Sequence, residues 1–157
     1  MSFDLWLAFA AASTVLLIIP GPTILLVLSY ALTQGKRVAV ATALGVALGD
    51  LIAMTASLLG LGALVAASAT AFVALKWVGA VYLLYLGIKM LRSAPKASLG
   101  DVTQMDHVSA THVFGHAALV TALNPKSIGF FIAFVPQFIR PETALAPQFA
   151  ALIATFV

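Results

Sequence analysis

A chain of 157 residues that is 62% hydrophobic and 8% charged, with a mean hydropathy of +1.11, lies outside the range of soluble globular domains. It reads as a polytopic membrane protein, so its net charge of +3 concerns topology rather than nucleic acid. Zero cysteines exclude disulfides, cysteine zinc sites and cysteine nucleophiles.

Met1-Ser2-Phe3-Asp4 carries no basic residue, and the apolar stretch after it is too long for a signal-peptide core, so the first segment is expected to stay in the membrane. Allowing about 20 apolar residues per crossing, spans are predicted from Leu5 to Leu32, Val38 to Leu64, Phe72 to Leu91 and Phe114 to Pro136. A fifth apolar stretch, Ala144 to Val157, is interrupted by Pro147 and Gln148 and is too short to cross as written. No polar or basic flank follows Val157, which reads as truncation rather than a natural terminus.

Lys36 and Arg37 follow span one, and Lys89, Arg92 and Lys96 end span three, which puts all five on one side of the bilayer. By the positive-inside bias that side is cytoplasmic, the N-terminus is external, and Trp6 and Trp77 lie near the outer interface. The hydrophilic stretch 92–113 is then a cytoplasmic loop.

Pro20-Gly21-Pro22 breaks the first span. Neither proline donates a backbone hydrogen bond, so the helical carbonyls of Leu16 and Ile18 lose their usual partners. Such backbone survives at membrane depth only where protein or a water-filled cavity covers it, as in the discontinuous helices where secondary transporters bind solutes. Asn124-Pro125-Lys126 interrupts span four at a similar depth. Asn is a good N-cap and Pro suits the first helical position, so Asn124-Pro125 is expected to end one half-helix and begin another, freeing the carbonyl of Thr121. If spans one to three form one unit, span four opens an inverted second unit, and the two breaks converge on a central site.

Half-helix N-termini after Pro22 and Pro125, with Lys126, suit a carboxylate. The freed carbonyls suit an ammonium, and Gly21 allows close approach to the backbone. An amino acid carries both groups. The plain alternative is that the prolines only kink helices for packing. Asp50 lies in mid-span, where a carboxylate costs about 2.5–3.5 kcal/mol on insertion scales. It could pair with Lys126 and couple solute exit to proton entry, or serve as a structural ion pair or a water-facing residue.

Ala41, Gly45, Gly49 and Ala53 recur every fourth residue, a face on which another helix backbone can approach closely. His112 and His116, with Asp106 and His107 upstream, would converge only if their segment were helical; they read instead as solvated loop residues. No nucleophile-elbow or phosphate-loop pattern is present, and no enzyme is implied.

These residues resemble the lysine-exporter and homoserine/threonine-resistance family of bacterial inner-membrane amino-acid exporters. The resemblance rests on Pro20-Gly21-Pro22, Gly35-Lys36-Arg37, Gly45 with Gly49-Asp50, the run from Tyr82 to Lys89, Asn124-Pro125-Lys126 and Pro136-Gln137-Phe138, and it covers essentially the whole chain. It implies an all-α transmembrane bundle of six spans in a 3+3 inverted repeat, with broken first and fourth helices. Of these the chain holds four full spans and a partial fifth in one domain, 1–157: a first repeat at 1–91, the loop at 92–113 and an incomplete second repeat at 114–157. The implied activity is export of amino acids or similar small zwitterions across the inner membrane by proton antiport, with no cofactor and no metal. Pro20, Gly21, Pro22, Thr23, Asn124, Pro125 and Lys126 are the candidate substrate-binding residues, and Asp50 is the proton-coupling candidate. The partners are the solute, protons and the bilayer, with homo-oligomerisation left open. Rival readings are a cation or metal exporter of related architecture and a non-transporting membrane interaction protein.

Overall fold

The computed structural model describes residues 1–18, 27–28, 30, 34–93 and 109–157, and positions 16, 18, 86, 90, 91, 93, 125 and 126 by backbone alone. Among these residues the chain is all helical: α1 (Phe3–Ile18), α2 (Lys36–Ala67), α3 (Ala69–Ser93), α4 (Ala110–Ala122), α5 (Pro125–Phe134) running into a 3₁₀ turn (Val135–Phe138), and α6 (Leu145–Phe156). Two helices, α2 and α3, are long and apolar enough to cross a membrane, and α4 with α5 makes a third if the bent pair is one span. α1 and α6 are shorter apolar helices. Expected and observed limits differ by a few residues: α3 runs to Ser93 and α4 starts at Ala110, so both ends of the expected 92–113 loop are helical.

Gly35 opens α2 with φ 82 and ψ 175, a conformation essentially reserved for glycine. A Cβ there would meet nothing within 4 Å, so the requirement is conformational, not spatial. At the far end a single residue separates two long helices. Ser68 is extended; its N–H donates to Leu64 O at 2.9 Å, ending α2, while its hydroxyl accepts from Ala71 N at 3.1 Å, capping α3. Ser109 caps α4 in the same way through His112 N at 3.3 Å. His112 and His116 therefore lie on a helix, against the loop reading, and both are exposed.

The helices form one packed body. α2 packs along α4 and also touches α3, α5 and α6; α3 packs on α5 and the 3₁₀ turn; α1 meets α6 and the 3₁₀ turn. The core joins Phe9 of α1, Met54, Leu58 and Leu61 of α2, Phe72 of α3, Phe131 and Phe134 of α5, and Leu152 of α6. Phe9 lies edge-on to Phe138 at 5.2 Å and 5.5 Å from Phe134, while Phe131 meets Phe156 edge-on at 5.1 Å. Trp6 donates to the Thr155 hydroxyl at 2.9 Å, and that hydroxyl donates onward to Ala151 O. The first turn of α1 is thereby tied to the last turn of α6. The hydroxyls of Thr42 and Ser57 are satisfied within their own helix, by Val38 O and Ala53 O, each at 2.8 Å, whereas the buried Ser13 hydroxyl of α1 has no partner among the described residues.

Pro147 and Gln148 do not interrupt the last apolar stretch. Pro147 falls in the first turn of α6, where a missing N–H breaks no helical bond. Gln148, 1% exposed, turns its amide back onto the preceding loop. It accepts from Arg140 N at 3.0 Å and donates to Arg140 O at 3.0 Å, the Thr143 hydroxyl at 2.9 Å and Ala144 O at 3.1 Å. A buried amide so fully bonded fixes the loop's path.

Candidate functional site

The break in the fourth expected span is present. α4 ends at Ala122, Leu123 turns, and α5 restarts with Pro125 at its first position and Asn124 before it. The two halves are bent by 49°. Proline's missing N–H and its clash with the preceding turn account for the position of the break, and Pro125 at N1 loses no helical bond of α5.

Thr121 O, however, is not left free. It accepts from Asn124 N at 3.2 Å, while Leu119 O accepts from Leu123 N at 3.0 Å and Asn124 O from Ile128 N at 3.1 Å. The last turn of α4 tightens and takes up its own acceptors. The first-turn amides of α5 are the groups that helix geometry leaves unpaired within the helix, so the polarity offered at the break is that of donors.

The small-residue face of α2 packs on α4 and fixes where this break sits. A Cβ on Gly45 would collide with Phe114 O and come within 3.0 Å of the Ala117 Cβ. One on Gly49 would lie 2.5 Å from the Thr121 Cβ, 2.7 Å from Ala118 O and 3.0 Å from Ala122 N. Asp50, half-buried, therefore follows a residue pressed against the turn that precedes the break. Gly49, the residue before Asp50, packs against Thr121 and Ala122, the residues that lead into the turn at Leu123 and Asn124. Whether Asp50 meets Lys126 falls outside the described residues, as do Pro20, Gly21, Pro22 and Thr23. The backbone of Pro125 and Lys126 lies in the first turn of α5.

Two residues that sequence reasoning passed over hold α5 in place. Gly79 of α3 lies against Ala133, whose carbonyl oxygen would be 2.7 Å from an added Cβ. Gln137 donates to Lys76 O at 2.8 Å and to Ala133 O at 3.2 Å. Gly79 has no small residue three or four positions away to mark a close-approach face, since Leu75, Lys76, Tyr82 and Leu83 stand there, and Gln137 stood only within a motif.

Beside the break is a cleft of about 580 Å³, lined by Ile52, Ala56 and Leu61 of α2, Leu75 of α3, and Leu123 and Ile128 on either side of the break. Ser57 is its one polar lining residue among the described residues. No group of three or more His, Cys, Asp or Glu that could hold a metal occurs among the described residues.

Apolar helices of spanning length, with one further pair bent by 49° at a proline, define an integral membrane protein. The chain belongs to the LysE type translocator family, whose model matches residues 14–157; it is a transport protein and not an enzyme. It is 36% identical over its whole length to an uncharacterized membrane protein of Vibrio cholerae, covering 76% of that relative. It is equally 36% identical to the homoserine/homoserine lactone efflux protein of Salmonella typhimurium, of which it covers 75%. An uncharacterized membrane protein of Pseudomonas aeruginosa is 37% identical over 147 residues, which are 90% of this chain and 66% of that relative. No solved structure matches it.

Proposed function

We propose that this chain belongs to an exporter of amino acids or closely related zwitterionic metabolites, working in the inner membrane by proton antiport on a six-span inverted-repeat plan. The observation that carries the reading is the seating of the Asn124-Pro125 break beside the Asp50-bearing turn of α2, enforced by Gly49 against Thr121 and Ala122. Donor groups at the start of α5 suit a carboxylate, and Asp50 one turn from the cleft suits an ammonium or a proton. The efflux activity named for the Salmonella relative agrees with that chemistry. Pro20, Gly21, Pro22 and Thr23 of the first break complete the site from the other repeat, and Lys126 adds positive charge on the carboxylate side.

In this orientation the N-terminus is external. Ser68 is the single residue between α2 and α3, and taking both as consecutive crossings puts Lys36 and Arg37 at the start of α2 and Lys89 and Arg92 at the end of α3 on one side. That side, with the segment 94–108, faces the cytoplasm.

The test is efflux from cells expressing the complete reading frame and loaded with amino-acid dipeptides. Export above the vector control, dependent on the proton gradient, is expected. Asp50→Asn should keep the protein in the membrane and abolish the gradient-driven component. Wild-type levels of gradient-driven export in that variant would remove Asp50 from coupling, and no export across a broad panel would overturn the exporter reading.

A further inference from the structure

We propose that the cleft beside the broken span is the side-chain pocket of the solute site and takes neutral amino acids with apolar side chains in preference to lysine or arginine. The inference rests on the exporter reading above and assigns its substrate class.

The cleft abuts the break itself, since Leu123 and Ile128 flank Asn124-Pro125 and both line it. A solute held by its head group at the break would therefore project its side chain into this space. At about 580 Å³ the cleft falls within the ordinary range for small-molecule pockets. Among the described residues its walls are aliphatic, and the one hydroxyl there, that of Ser57, is spent on Ala53 O at 2.8 Å. A guanidinium or ammonium entering it would shed water and gain no partner from the walls. An aliphatic side chain would gain contact along its length.

Asp50 precedes Ala53 by three residues on α2, and Ala53, Ser57 and Leu61 continue the same helical face into the cleft. Asp50 does not line the cleft but lies less than one helical turn before its lining residue Ala53, a placement that suits the α-ammonium of a solute whose remainder is apolar. The rival occupants are a basic solute, using Asp50 for its side-chain cation, and a lipid acyl chain.

Gly60 provides the variant, because it lines the cleft and a Cβ there meets nothing within 4 Å. In dipeptide-loaded cells the wild-type chain should export leucine and methionine about tenfold or more in preference to lysine. Gly60→Leu should lower the leucine-to-alanine export ratio by about tenfold while alanine export continues. A measurement without mutation repeats the question: excess norleucine should compete with labelled leucine and excess lysine should not. Lysine exported or competing as well as leucine would overturn the pocket in favour of a basic solute. An unchanged leucine-to-alanine ratio in Gly60→Leu would overturn it in favour of an acyl chain. In both cases amino-acid export itself would stand, whereas no export of any amino acid would remove the exporter reading and this inference together.

Discussion

Between α2 and α4 the backbones themselves touch, with Gly45 and Gly49 of one helix against Phe114, Ala117, Ala118 and Thr121 of the other. Where α1, α5 and α6 meet, contact is made by rings, with Phe9, Phe131, Phe134, Phe138 and Phe156 interleaved at centroid distances of 4.9 to 5.5 Å. The first seam has no room to add an atom, and the second has none to lose. In a bilayer neither is driven together by water, since lipid tails are as apolar as leucine, and close packing has to supply the association energy in both. Small residues do so by bringing polarised backbones near, large rings by filling volume. The glycine seam is the one on which the proposed site depends, because Gly49 pressed against Thr121 and Ala122 leaves no room for sliding next to the break.

The sharpest break in this comparison comes from the ring side. Phe131→Ala removes a side chain 1% exposed and should cost about 3–5 kcal/mol, read as a fall in the unfolding midpoint in detergent; a loss under 1 kcal/mol would mean the rings are not structural. Next, Gly49→Ala should cost about 1–3 kcal/mol through overpacking, whereas Gly60→Ala on the same helix should be neutral or stabilising in the same melts. Equal effects of the two would show that helix propensity, not the seam, sets the value. The smallest loss should come from Trp6→Phe, which keeps the ring but loses the bond to Thr155 and should cost about 0.6 kcal/mol in the same melts.

The break at Asn124-Pro125 was legible in the sequence because a missing N–H is a local fact, and so was the close-approach face of α2, because four-residue spacing is a local fact too. The carbonyl of Thr121 was misjudged for a matching reason: the turn that recaptured it depends on Asn124 leaving the helix, which proline chemistry alone does not specify. Gln148 looked like an interruption because a polar residue in an apolar run gives no sign of its partners, and these lie in a loop that only folding brings to it.

The sequence by itself determined that the chain enters the bilayer, roughly where its helices run and where one of them breaks. Each follows from composition, spacing or single-residue chemistry, while the family came from the likeness of its motifs to those of known exporters. Only the tertiary structure decided that the glycine face of α2 meets α4, that Gly79 and Gln137 hold α5, and that an aliphatic cleft opens beside the break. Periodicity names a face but not its partner. In a membrane, moreover, lipid-facing positions such as Val81 and Leu84 are as apolar as the buried Phe72 and Leu58, so hydropathy cannot separate inside from outside.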